Sequence, residues 1–228
     1  MEYHVYPLTL CFKVLFMNAT EKLSNELRDI KQMMERSSRF ISLSGLSGIS
    51  AGICALIGAW FAREILEQRS ALDAAHSKEA DSVLRGDLLN SGLLQIAVLT
   101  FMAAVFFAFI FTYRRSRVTN VPIWGAQAQR VLVHVAVPMI AGGVFLLALL
   151  KNGVYDFIAP GCLIFYGLGV LNASKFTLAE TKWLGYSEIL LGIINLFFTG
   201  QGLYFWAVGF GLLHIIYGTA MWSKYERN

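Results

Sequence analysis

Residues 40–61 read FISLSGLSGISAGICALIGAWF, 22 positions without one charged side chain. As a helix rising 1.5 Å per residue they extend about 33 Å, enough to cross the roughly 30 Å hydrocarbon core of a bilayer. Gly45, Gly48, Gly52, Ala55 and Ala59 recur at spacings of three, four, three and four, so they share one helix face. Ser44, Ser47 and Ala51 widen that strip. A strip of small side chains lets two backbones approach closely, which contact with lipid does not reward. The stretch is therefore expected to be the central helix of a membrane bundle.

The composition agrees. Hydrophobic residues make up 56% of the 228 and charged residues 15%, against roughly 25% charged in soluble domains. The net charge of +4 does not point to nucleic acid, because the basic residues flank apolar segments and so orient them in a membrane. Cys11, Cys54 and Cys162 lie far apart, which fits neither a disulfide framework nor a zinc pattern. No H-E-x-x-H, P-loop, Cys-x-x-Cys or dinucleotide fingerprint occurs, so no cofactor or metal is expected.

In chain order, residues 1–16 are apolar, too short to span, and lack a basic start or cleavage site. They are expected to be an upstream extension, with Met17 as the native start. Residues 17–39 predict a cytoplasmic amphipathic helix. Asn18 and Glu21 suit a capping box, and Leu23, Leu27, Ile30 and Met34 form an apolar seam at spacings of four, three and four. That seam is expected to lie on the membrane or to dock a protein partner or a second copy. Six spans are predicted, at about 40–61, 89–113, 131–150, 157–173, 183–198 and 203–222, making an all-α polytopic bundle with a short tail at 223–228. The polar segment after the first span should extend it as helix, with a bend near His76 or Gly86. Phe101, Phe106, Phe107, Phe109 and Phe111 on many faces of the second span predict broad lipid contact. Pro122 and Trp124 mark the loop before the third span, which Pro138 and Gly142-Gly143 are expected to bend. Pro160, Gly161, Gly167 and Gly169 mark the fourth as broken.

With six spans both termini share a side. Lys and Arg number fourteen on that side and five on the other, so both termini are expected in the cytoplasm. Tyr166-Gly167-Leu168 and Phe210-Gly211-Leu212, 44 residues apart, hint at parallel repeats of the kind some transporters use.

Polar groups inside hydrocarbon are costly and so are the first candidates for function. Glu188 is the clear intramembrane acid, and His214 lies at similar depth in the last span, on the face of Ala207, Gly211 and Gly218. Asn195 is two turns from Glu188, and Asn172, Lys175 and His134 fall in the same half of the bundle. Together they form a candidate polar cluster for proton titration or ligand binding. The competing account is structural. Glu188 sits near a helix N-terminus that favours negative charge, and tyrosines such as Tyr186 can satisfy it. Asn172 and Asn195 serve equally as interhelical hydrogen-bond partners, and Lys175 as a snorkelling interface residue. Gly45-Leu46-Ser47-Gly48 matches the G-x-S-G of rhomboid-type proteases, but those carry the serine on their fourth span, and packing already explains these residues. A protein without enzymatic activity is expected: either a membrane interaction or regulatory protein acting through residues 18–39, or a small-solute or proton-coupled transporter centred on Glu188 and His214.

The phrases RSSRFISLSGLSGISAGICALIGA, IAPGCLIFYGLGVLNASKFTLAE and FWAVGFGLLHIIYGTAMW resemble those of uncharacterised bacterial inner-membrane proteins of six helices. The resemblance runs from Met17 to the C-terminus. It implies a multi-pass topology and the bacterial cytoplasmic membrane as location, and brings no activity with it.

Overall fold

The computed structural model describes residues 44–75, 92–119 and 123–227, the side chains of 69–75 excepted. The extension 1–16, the seam Leu23, Leu27, Ile30 and Met34, the bend at His76 or Gly86, and Pro122 all lie outside the described residues. Within them all regular structure is helical: α1 Gly45–Ala75, α2 Gly92–Thr119, α3 Ala126–Lys151, α4 Ile158–Ala173, α5 Thr181–Phe197 and α6 Gly202–Tyr225. Four of these, α1, α2, α3 and α6, are long and apolar enough to cross a membrane. The chain is a membrane-embedded helical protein.

Several helices outrun their apolar windows. Good helix formers carry α1 past residue 61, and Arg63 and Glu67 pair at 2.6 Å one turn apart on its exposed side. At the end of α2 the Arg117 guanidinium folds back onto the Tyr113 hydroxyl at 2.6 Å. The cationic turn therefore stays helical instead of stopping at Arg114. Pro138 stands inside a continuous α3. The fourth helix is likewise unbroken. Pro160 sits in its first turn, where the missing N–H is one of the donors a helix leaves unpaired anyway. The discontinuity lies instead in α6, where residues 207–213 form π-helical turns between α-helical ends.

Neighbouring helices run antiparallel. Gly58 of α1 abuts Thr100 of α2 while Gly92 abuts Ile65. Gly142 of α3 meets Phe165 of α4 while Gly161 meets Leu146. Gly167 and Gly185, then Gly192 and Pro160, bring the backbones of α4 and α5 together. The strip on α1 packs against α6: a Cβ on Gly52 would stand 2.6 Å from the Gly211 carbonyl oxygen, and one on Gly218 would stand 2.6 Å from that of Gly45. Ala55 and Ala59 are buried. The strip glycines thus serve α6 while Gly58, outside the strip, meets α2, and α1 is not central to the whole bundle as the sequence suggests. Leu163, Met221 and Glu188 are fully buried, which puts the core among α4, α5 and α6.

One end of the bundle is tied by the last residues of the chain. Glu226, expected in a free tail, accepts the Gly45 N–H at 2.5 Å and the Ser44 hydroxyl at 3.3 Å, capping α1. Arg115 at the end of α2 lies 3.7 Å from the same carboxylate and donates to the Tyr225 carbonyl at 2.9 Å. Lys224 and the Tyr225 hydroxyl both reach Glu180, just before α5.

Candidate functional site

Glu188 is seven residues into α5, 0% exposed, and faces α6. Its carboxylate fits because the opposing residue is glycine: a Cβ on Gly209 would stand 2.6 Å from Oε2. His214 of α6 brings Nδ1 to 3.4 Å from Glu188 Oε1, within ion-pair range. The same Nδ1 lies 3.1 Å from the Gly209 carbonyl oxygen, and Nε2 lies 2.6 Å from the Tyr166 hydroxyl of α4. Neither oxygen of Glu188 has a hydrogen-bond partner among the described residues. A buried carboxylate left that way is expensive unless it is neutral or its neighbour is cationic.

The π-helical turns at 207–213 immediately precede His214 and contain Gly209, whose carbonyl its ring meets. Inserting the wider turn shifts the register of the helix by a residue. Gly211 and Gly218 face α1, while the His214 ring turns to α4 and α5. His214 and Gly218 stand one α-helical turn apart, and the backbone of both borders Gly48 of α1.

The protonation chemistry follows from the contacts. With Nδ1 protonated, the ring donates to the Gly209 oxygen and its free Nε2 accepts from the Tyr166 hydroxyl. With both nitrogens protonated, the ring is a cation beside Glu188, and Nε2 becomes the donor to Tyr166. Glu188 Oε1 and His214 Nδ1 are thus close enough for an ion pair when the ring is cationic, and Tyr166 is the side chain hydrogen-bonded to the other ring nitrogen. Phe210 lies against both Tyr166 and His214, with ring centroids 5.0 and 5.9 Å away. Towards the tied end, the hydroxyls of Thr181 and Tyr217 meet at 2.9 Å across the same α5–α6 seam.

Tyr166 and His214 also line an apolar cavity of about 430 Å³, walled by Ala55, Phe101, Gly143 and Trp206 among others. Glu188 stands behind them. This volume falls within the ~300–1,000 Å³ of small-molecule sites.

The remaining members of the expected cluster go elsewhere. Asn172 donates to the His134 carbonyl at 3.0 Å, linking α4 to α3, and the His134 ring packs on Phe176 at 4.5 Å while its Nδ1 lies 2.7 Å from the Arg130 carbonyl. Lys175 is exposed on the short turn after α4. Asn195 is buried, but its amide donates to the Phe198 carbonyl at 3.3 Å, closing its own helix instead of bridging two. Tyr186 is exposed and packs on Trp183; the tyrosine at the site is Tyr166. A hydroxyl midway along an apolar helix is the signal that could have found it. Ser47 donates to the Ser44 carbonyl at 2.5 Å, while His214 turns to Gly209 and Tyr166. Among the described residues no three His, Cys, Asp or Glu side chains gather as a metal site.

Comparison with known protein families, curated proteins and solved structures returns no match for this chain.

Proposed function

We propose that this is a six-span protein of the bacterial inner membrane, both termini cytoplasmic, acting as a proton-coupled carrier rather than an enzyme. The observation that carries it is Glu188: a fully buried carboxylate, unpaired by hydrogen bonds, within 3.4 Å of a histidine whose other nitrogen meets a cavity-lining tyrosine. Ionisable groups at membrane depth mark ion and substrate pathways. The π-helical break beside His214 supports the same reading, because such turns favour functional sites.

Six crossings are supported by the antiparallel packing. α4 and α5, with 16 and 17 residues, span about 24 and 26 Å, short of the hydrocarbon core by themselves. Yet they run side by side with α3 and α6, so they traverse the same slab. The orientation is supported by charge. Arg114, Arg115 and Arg117 end α2, Arg130 opens α3, Lys182 opens α5 and Lys224 ends α6. All belong to one end of the bundle, the end expected to face the cytoplasm. Docking of a partner or second copy through residues 18–39 belongs to a segment outside the described residues.

The test is proton flux into liposomes loaded with a pH-sensitive dye, wild type against Glu188→Gln and Tyr166→Phe. Glu188→Gln keeps the shape and removes the titration, and should cut flux by about a hundredfold or more, the usual scale for a proton-transfer group. Tyr166→Phe should fall between. Equal flux from wild type and Glu188→Gln would reject the carrier.

A further inference from the structure

A second cavity, of about 400 Å³, adjoins the first: Ala97, Thr100, Cys162 and Trp206 line both. The two form one groove. It opens sideways because α2 packs along α1 and α3 along α4, leaving a cleft between α2 and α3. Its inner end is Tyr166 and His214. The outer end reaches Tyr155 and Asp156 before α4 and Gly200 before α6.

Three features identify what the groove takes. Its length, from Ala51 to Leu66 along α1 and from Leu93 to Ala108 along α2, is fifteen residues or about 22 Å, enough for a chain that crosses the ~15 Å half-thickness of a hydrocarbon core. The wall is made almost wholly of apolar side chains, small, aliphatic and aromatic, and a Cβ on Gly143 would meet nothing within 4 Å. Water finds too few polar partners there to stay. Finally, Asp156 is the one Asp, Glu, Lys or Arg lining either cavity among the described residues, and it is exposed at the mouth.

We infer that this groove holds one acyl chain of a membrane phospholipid from the leaflet on the Asp156 side. The lipid's amine-bearing headgroup sits at Asp156, and the end of its chain rests against Tyr166 and His214. Hydrocarbon is the surrounding solvent, the groove is long enough for an acyl chain, and a cationic amine complements the carboxylate at the entrance. The inference requires only that the bundle is embedded in a membrane; it holds whether or not protons move through Glu188.

The full-length protein would be placed in phosphatidylcholine nanodiscs doped with a phosphatidylethanolamine whose acyl chain carries a photoactivatable diazirine. Labelled peptides should concentrate on the groove faces of α2 and α4, around Ala97 and Cys162, over the outward face bearing Leu190 and Phe197. This wild-type map needs no variant. Gly143→Phe, which fills the groove, should reduce groove labelling by about tenfold and leave Leu190 and Phe197 unchanged. Asp156→Asn should bring the ethanolamine probe down to the level of a phosphatidylglycerol probe. Glu188→Gln should leave the map intact even where it abolishes flux, which separates this inference from the carrier reading. Labelling spread evenly over all exposed faces would overturn it. So would crosslinks placing residues 1–43 or a second copy in the groove.

Discussion

Gly52→Ala and Gly143→Ala make the same chemical change in two membrane helices, and the packing predicts opposite signs. At Gly52 the new Cβ would stand 2.6 Å from the Gly211 carbonyl oxygen and 2.7 Å from Ile215 Cγ1. Ordinary contact needs about 3.5 Å, so α1 and α6 must separate locally by roughly 0.8 Å. The nearest obstacle is backbone, which cannot turn away as a flexible side chain would. A gap of that size forfeits roughly a quarter to a half of each dispersion contact across the seam. With the strain of overpacking, the total cost is about 2–3 kcal/mol. Alanine in place of glycine in a helix returns about 0.8–1.0 kcal/mol. The net loss at Gly52 is therefore about 1–2 kcal/mol.

Gly143 has nothing within 4 Å of its added Cβ, so the propensity gain stands alone and the variant should be stabilised by up to ~1 kcal/mol. Gly48 falls between: its Cβ would lie 3.1 Å from the Gly218 Cα, close enough to cancel most of the gain. Reversible unfolding in mixed micelles, followed by helical circular dichroism, orders the three. At roughly 2–4 °C per kcal/mol for a chain of this size, melting temperatures should spread by several degrees, with Gly143→Ala highest and Gly52→Ala lowest. Equal stabilities for Gly52→Ala and Gly143→Ala would refute the α1–α6 seam.

Three further outcomes follow from contacts at the site and the tied end. Gly209→Ala drives a Cβ to 2.6 Å from Glu188 Oε2; it should destabilise by about 1–3 kcal/mol and lower dye-reported flux as Glu188→Gln does. Glu226→Ala uncaps α1 and removes the ion-pair partner of Arg115, so the same micelle assay should show a loss of about 1–2 kcal/mol, against almost none for Arg227→Ala. Partial burial pushes the Glu180 carboxyl up, but hydrogen bonds from Lys224, the backbone and Tyr225 outweigh it and hold it below its usual 4.5. With the folded value depressed, the pair's contribution is complete above about pH 4.5 and lost as pH falls through the folded value. Thermal melts from pH 7 to pH 3 should decline less steeply for Glu180→Gln; parallel curves would contradict the pairing. The carboxylate is partly exposed, so the effect is small.

What the sequence reveals follows how local each determinant is. The small-residue strip on α1 is legible because a helical period is a local property, and glycine at that spacing has one economical use in a membrane. Meeting of Glu188 and His214 follows from depth, since both sit about the same distance from one end. Helix ends are less legible: Glu226 reads as tail because its partner, the Gly45 N–H, is 181 positions away in the chain. The π-helical turns leave no compositional mark beyond Gly209 and Gly211, yet they supply the Gly209 carbonyl that the His214 ring meets. Asn195 and Asn172 look alike in sequence, yet one closes its own helix and the other bridges two; only the position of the neighbouring backbone separates them.

The element that organises the structure is α6 rather than α1. Its glycines take the α1 strip, its π-helical turns bring His214 to Glu188 and Tyr166, its Trp206 lines both cavities, and its last turn ties α1, α2 and the start of α5. A regular helix offers one face to each neighbour at fixed angles. In α6 the π-helical turns of 207–213 hold the Gly209 carbonyl 3.1 Å from His214 Nδ1, while Gly211 and Gly218 pack on α1. The irregular turns therefore lie where the titratable pair and the close glycine contact meet. Changes that restore an even period in α6 should disturb both together.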